Sequence, residues 1–166
     1  MDEPSRKPIR VLLVDDEEDL VDFLSHRLLK HGFTVTATTA GTKAIEAAAR
    51  QKYDVAIVDL KMPVMDGIEV LRWLRESQPF LETIMLTGHG SHDSALEAGR
   101  LQAFRYLLKP YEFDELVALI EEAAANKRNA QNREFQEKQQ EIIARGGTPR
   151  EITAATEHLR SEYELD

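Results

Sequence analysis

Five short apolar runs, separated by stretches of helical periodicity, constrain this chain more than any other feature. They are residues 9–14 (IRVLLV), 33–37 (FTVTA), 54–58 (DVAIV), 82–87 (ETIMLT) and 103–108 (AFRYLL). Each is too short for a core helix and rich in β-branched or aromatic side chains, which reads as a buried strand. Four of them deliver a polar side chain at or just past their carboxyl end: Asp15 and Asp16, Asp59, Thr87, and Lys109. A carboxylate held at the end of a buried strand is costly unless something there uses its charge.

Between the runs the period changes from two to 3.6. After Asp16, the residues Leu20, Phe23, Leu24, Arg27 and Leu28 fall on one helical face. Glu17, Glu18 and Asp19 suit the helix N-terminus, and Gly32 suits its end. Residues 42–50 are Ala-rich and helical. Residues 68–77 form a third helix with Val70, Leu71 and Leu74 inward, closed by Pro79; Asp66–Gly67 before it reads as a turn. The loop GHGSHDS leads into a weaker helix over 91–99, and a further helix runs over 113–128. Strands alternating with helices predict an α/β domain, a parallel sheet covered on both faces. Ligands of such sheets bind beyond the carboxyl ends of the strands, where strand order reverses.

All five polar residues named above belong at that edge. Three carboxylates sharing a crevice repel one another unless a cation is present. A hard divalent ion such as Mg2+ prefers such oxygens and usually brings a phosphate with it. Lys109 adds a point charge for a phosphoryl oxygen, and the Thr87 hydroxyl a hydrogen bond. Asp59 is then placed to act as a nucleophile and form an acyl phosphate, with the charges around it stabilising the transferring group. Taken one at a time these residues have simpler readings. Asp15 and Asp16 are candidate N-cap acids, Thr87 a strand-end hydroxyl, Lys109 a surface lysine, and Tyr106 a core aromatic. Trp73 suits core or interface. His89 and His92 are spaced for a metal turn but lack a third ligand nearby.

The segments VLLVDDEEDL, VDLKMPVMDG, TGHG and YLLKP, in this order and spacing, resemble the motifs of the response-regulator receiver domain of two-component signalling. The resemblance covers residues from about 8 to 126; Gln102, where many relatives carry Gly, is a small departure. It implies a flavodoxin-like, doubly wound five-stranded parallel sheet of order 2-1-3-4-5. It implies that Asp59 is the phosphoacceptor, served by a histidine kinase or phosphotransfer protein. Asp16, Asp59 and the Lys61 backbone carbonyl would bind Mg2+, with Asp15 acting through water. Thr87 and Tyr106 match a pair that rearranges on phosphorylation. Lys61 and His89 match positions that tune the phosphoryl lifetime. Acceptance and self-hydrolysis of the phosphoryl group are the only chemistry expected, so the chain is not expected to be an enzyme.

Composition divides the chain into an N-terminal arm (1–8), the receiver (9–126) and a helical tail (127–166). The tail is polar and helix-favouring up to Gly146–Gly147; it is expected to prolong the helix from Phe113 out of the domain, and the two glycines to stop it. Thr148, Pro149 and Glu151 then spell a capping box for a short last helix, with Ile152, Ala155, Leu159 and Tyr163 on one face. Such a hairpin is too small for a core of its own. It either packs on the receiver, dimerises or docks a partner. The surface expected to respond to phosphorylation is the helix over 91–99, the fifth strand, the helix from Phe113 and the tail.

A net charge of −9 argues against non-specific binding to nucleic acid or anionic membrane. The tail from Lys127 carries seven basic and eight acidic residues, without the basic stripe of a DNA reader. Signalling through protein contacts is therefore expected, and a transcriptional regulator with a DNA-binding tail is the alternative. A third reading, a flavodoxin-like module that accepts no phosphate, lacks a Gly-rich phosphate loop after the first strand. No apolar run reaches membrane-span length, the N-terminus has no apolar signal core, and cysteine is absent. A cytoplasmic location is expected.

Overall fold

The computed structural model describes residues 6–88 and 103–165. The expectations for His89, His92, Gln102 and the helix over 91–99 lie outside the described residues. Five strands form one parallel sheet: β1 Arg10–Val14, β2 Thr34–Thr38, β3 Val55–Asp59, β4 Glu82–Thr87 and β5 Arg105–Leu108. Their order is β2-β1-β3-β4-β5. The helices are α1 Glu18–His31, α2 Gly41–Arg50, α3 Gly67–Ser77, α4 Phe113–Arg145 and α5 Pro149–Glu162.

The apolar runs form strands because both of their faces are covered. Val11, Leu13, Ile57, Ile84 and Leu86 point to one side, where they meet α1 and the first turns of α4. Leu12, Val14, Ala56, Val58 and Met85 point to the other and meet α2 and α3. Residues 11–14 and 55–58 are fully buried. Each Val, Leu or Ile side chain so buried contributes roughly 1.5–3 kcal/mol, which makes the β1–β3 pair the centre of the fold.

Two boundaries differ from the sequence reading in ways that matter. β3 reaches Asp59 itself, because Leu60 N–H continues the ladder by donating to the Leu86 carbonyl at 2.9 Å. The carboxylate is thus anchored by strand pairing and not left on a loop. β5 begins only at Arg105, although Phe104 N–H still donates to the Thr83 carbonyl at 2.8 Å.

In α1 the side chains facing the sheet are Val21, Leu24 and Leu28, while Phe23 is 62% exposed. A helix turns about 100° per residue. Leu20, Phe23, Leu24 and Arg27 therefore share one stripe, as their spacing indicates, but it borders a groove beside Lys109 and Tyr111. Gly32, at φ 106°, ends α1 in the left-handed conformation that glycine adopts without strain.

The chain divides into two compact units, Met1–Ala124 and Ala125–Asp166. Helix α4 is one helix from Phe113 to Arg145, so the tail prolongs it up to Gly146–Gly147 as its composition indicates. Within the second unit, α5 starts on the expected capping box: Thr148 Oγ1 accepts from Glu151 N–H, and Glu151 Oε2 accepts from Thr148 N–H. Gly146 and Gly147 both have positive φ, 77° and 144°, and make the turn between α4 and α5. Phe135, Leu159 and Tyr163 are the buried apolar side chains among the unit's described residues. The rings of Phe135 and Tyr163 meet edge to face at 6.5 Å, and the Tyr163 hydroxyl donates to Glu134 at 2.7 Å. No helix of the described residues is long and apolar enough to cross a membrane.

Candidate functional site

Strand β1 lies between β2 and β3, so the chain crosses the sheet in opposite directions on either side of it. That reversal opens a crevice at the carboxyl ends of β1 and β3. Asp15 and Asp16 follow β1 and Asp59 ends β3, placing all three acids there. A ligand oxygen from each lies within 4.8 Å of the others. Thr87 ends β4, and Lys109 is tied to it because Lys109 N–H donates to the Thr87 carbonyl at 2.8 Å.

The Lys109 ammonium donates to Asp15 Oδ2 at 3.1 Å and to Asp59 Oδ1 at 3.3 Å. Asp15 is almost wholly buried, and its second oxygen accepts from Glu17 N–H at 3.0 Å. Glu17 is the N-cap residue of α1. Asp15 and Asp16 are therefore not the cap; Asp15 braces the turn that leads into it. Asp16 is exposed at the crevice mouth. The donor set is all oxygen and two of the three acids are buried, a composition that suits a hard cation such as Mg2+ or Ca2+ better than a soft one.

Burial, and then repulsion from Asp15, raise the Asp59 pKa above the ordinary carboxylate range; Lys109 opposes the rise without cancelling it. Burial pulls the Lys109 ammonium down, but Asp15 and Asp59 outweigh it and the net shift is upward. Lys109 is thus a firmly charged cation, and Asp59 a carboxylate with unmet demand for positive charge. Burial also raises the Tyr111 phenol, which stands two residues beyond Lys109 and feels the same three charges.

Gly67 has a sharper role than a turn residue. A Cβ at this position would run into the Asp59 carbonyl oxygen and lie 2.8 Å from Leu60 Cα. Its N–H donates to the Leu60 carbonyl at 2.9 Å. Helix α3 therefore starts in direct backbone contact with the end of β3, and only glycine permits that approach. Asp66 caps the helix through a reciprocal box with Glu69. Between Asp59 and this cap, Val64 has φ 68° inside a three-residue turn closed by Met65 N–H to the Pro63 carbonyl at 2.8 Å. That is a strained conformation for a β-branched residue. The Asp-Gly pair signals the turn in the sequence; nothing there signals Val64.

A model of the response regulator receiver domain matches residues 11–121. The chain belongs to the response regulator receiver family. The transcriptional regulatory protein GlrR of Escherichia coli K12 is 36% identical over 119 residues, 72% of this chain and 27% of GlrR. The DNA-binding transcriptional regulator NtrC of the same organism is 36% identical over 130 residues, 78% of this chain and 26% of NtrC. The chain thus spans about a quarter of the curated relatives it matches. Among solved structures, a response regulator receiver domain protein from Clostridium thermocellum superposes with a TM-score of 0.70 at 31% identity. It covers 74% of this chain and 98% of its own. The doubly wound sheet of order 2-1-3-4-5 is this receiver fold.

The remaining residues singled out in the receiver motifs are in different states. The Thr87 hydroxyl donates to the Gly88 carbonyl at 2.9 Å and so is turned to its own backbone. Tyr106 is half-buried on β5, packed against the cluster that holds Val58 and Met85, and burial raises its phenol. Lys61 is exposed two residues beyond Asp59.

Proposed function

We propose that this receiver accepts a phosphoryl group on Asp59 from a histidine kinase or phosphotransfer protein, with Mg2+ as cofactor. Asp16, Asp59 and the Lys61 carbonyl would hold the ion, and Asp15 would act on it through water. When bound, the ion would supply positive charge against the three carboxylates and the transferring group. The observation that carries the reading is the convergence of Asp15, Asp16 and Asp59 with Lys109 bridging two of them.

In the transfer an Asp59 carboxylate oxygen attacks phosphorus. A P–O bond forms, the P–N bond to the donor imidazole breaks, and its electron pair stays on the nitrogen. Lys109 holds the attacking carboxylate in place and offers its ammonium to a phosphoryl oxygen. Thr87 would exchange its bond to the Gly88 carbonyl for one to the phosphoryl group. Tyr106 would turn into the space so vacated, carrying the change to β5 and α4. The Lys61 side chain, with His89, would set how long the phosphoryl group lasts. Acceptance and self-hydrolysis are the whole of the chemistry, and the chain turns over no second substrate. The reading places it in the cytoplasm, which supplies nucleotide-derived phosphoryl groups. Output would pass through protein contacts of β5, α4 and the helical tail.

Acetyl phosphate with Mg2+ tests this. The expected result is a mass gain of one phosphoryl group on the wild type and none on Asp59→Asn. A folded wild type that stays unmodified overturns the proposal. A DNA-directed output is the second reading, favoured by the names of GlrR and NtrC. Salt-sensitive, sequence-selective gel shifts would establish it; the near-balance of charge in the tail argues for their absence.

A further inference from the structure

The second unit presents a groove of about 540 Å³ between the end of α4 and α5. Ile143 and Ile152 form its apolar part, and Gln139, Thr156, Glu157 and Arg160 its polar part. Ile143 is 56% exposed although Phe135, about two turns earlier on the same helix, is buried. The unit spans residues 125–166 and buries few apolar side chains among those described. Chains of this size usually need a disulfide, a metal or association to hold a defined fold. Cysteine is absent from the sequence, and the one metal-capable acidic group among the described residues lies in the first unit.

We infer that this groove is the contact face of a homodimer, in which two α4–α5 hairpins form a four-helix cluster around Ile143 and Ile152. The charges commit the occupant to a second copy of this chain. Glu157 and Arg160 sit one turn apart on α5 at the same groove. A two-fold axis crossing α5 between them sets Glu157 of one copy against Arg160 of the other, and Arg160 against Glu157, because an isologous contact uses each pairing twice. A partner of one charge sign would satisfy only half of that edge. The apolar centre and mixed polar rim are the arrangement of a specific interface. The 14 residues of α5 span about 21 Å. The contact is therefore smaller than a standard interface, and dimers form only at micromolar concentration or above. The inference does not depend on phosphorylation of Asp59.

Sedimentation equilibrium of the full chain, over a series reaching high micromolar concentration, tests it. The wild type should approach twice the monomer mass. Ile143→Glu, at a side chain already half-exposed, should raise the dissociation constant about tenfold or more, while its far-ultraviolet circular dichroism matches the wild type at concentrations where both are dimeric. Glu157→Arg and Arg160→Glu should each weaken the dimer about tenfold, and the double exchange should restore it to within about threefold of wild type. A monomer mass at every concentration overturns the inference. So does a dimer indifferent to Ile143→Glu, or a double exchange no tighter than the single ones.

Discussion

The crevice at the end of β3 and the hairpin of α4 and α5 are built by opposite means. The crevice is held by parts distant in the chain: β1 and β3 pair side by side, Lys109 reaches back to Asp15, and Gly67 lets α3 press on the Asp59 backbone. The hairpin is held by local devices, a capping box, two positive-φ glycines and contacts between neighbouring helices. A site that must hold charges within a few ångströms of one another needs the first kind of construction. A surface that has only to present one face does not.

The sharpest way to break this contrast is to empty each core in turn. Trp73 is the single tryptophan, sits on α3, and so reports the first unit alone. Ile57→Ala should cost about 3–4 kcal/mol in urea unfolding followed by its fluorescence. Leu159→Ala should leave that transition within about 0.5 kcal/mol while reducing helical circular dichroism. Equal shifts at Trp73 would erase the distinction.

Gly67→Ala comes next. Backbone atoms stand where its methyl would go, so about 2 kcal/mol of destabilisation is expected together with slower phosphoryl acceptance from acetyl phosphate. Unchanged stability and rate would show that α3 does not hold Asp59 in place.

Asp59→Asn should act in the opposite sense and stabilise the metal-free protein by about 1 kcal/mol near neutral pH, because it removes a buried charge that Asp15 repels. The sign follows from proton binding. The folded chain holds the Asp59 proton more tightly than the unfolded chain does. This group's contribution is therefore most favourable below its unfolded pKa and is lost as pH rises through its folded one. Thermal midpoints of wild type and Asp59→Asn should accordingly diverge as pH rises above about 4, the ordinary value of an aspartate carboxyl. Parallel curves would place the upward shift elsewhere. Adding Mg2+ should raise the wild-type midpoint and narrow the gap, since binding to the folded state alone stabilises it.

The smallest effect is expected at Thr148→Ala, about 1 kcal/mol or less, confined to the first turn of α5 and read as faster amide exchange there. A change at Trp73 would contradict its local character.

The local devices were legible in the sequence. Thr148, Pro149 and Glu151 announce the start of α5, Gly32 the end of α1, and the apolar runs the five strands, because each signal depends on near neighbours. The convergence of Asp15, Asp16, Asp59 and Lys109 was legible as well, since a parallel sheet collects strand ends at one edge. What escaped was set by contacts across the chain. Phe23 shares the apolar stripe of α1 yet borders a groove instead of the sheet, because Val21 fills the place against the strands. Gly67 looks like any turn glycine until the Asp59 carbonyl is found beneath it. Val64 carries no mark of its left-handed backbone. The reach of α4 to Arg145 did not escape, since helix-favouring residues run on from Asn126 to the stop at Gly146–Gly147.

The Lys109 bridge has one more consequence. With three acids ionised and one ammonium among them, the crevice is formally two charges negative. It should act as a small ion exchanger that selects by valence: one divalent cation would neutralise it, whereas a single monovalent ion would leave a residual charge. Potassium or sodium should therefore compete poorly for the site at equal concentration, and weaken divalent binding mainly by screening the field around it.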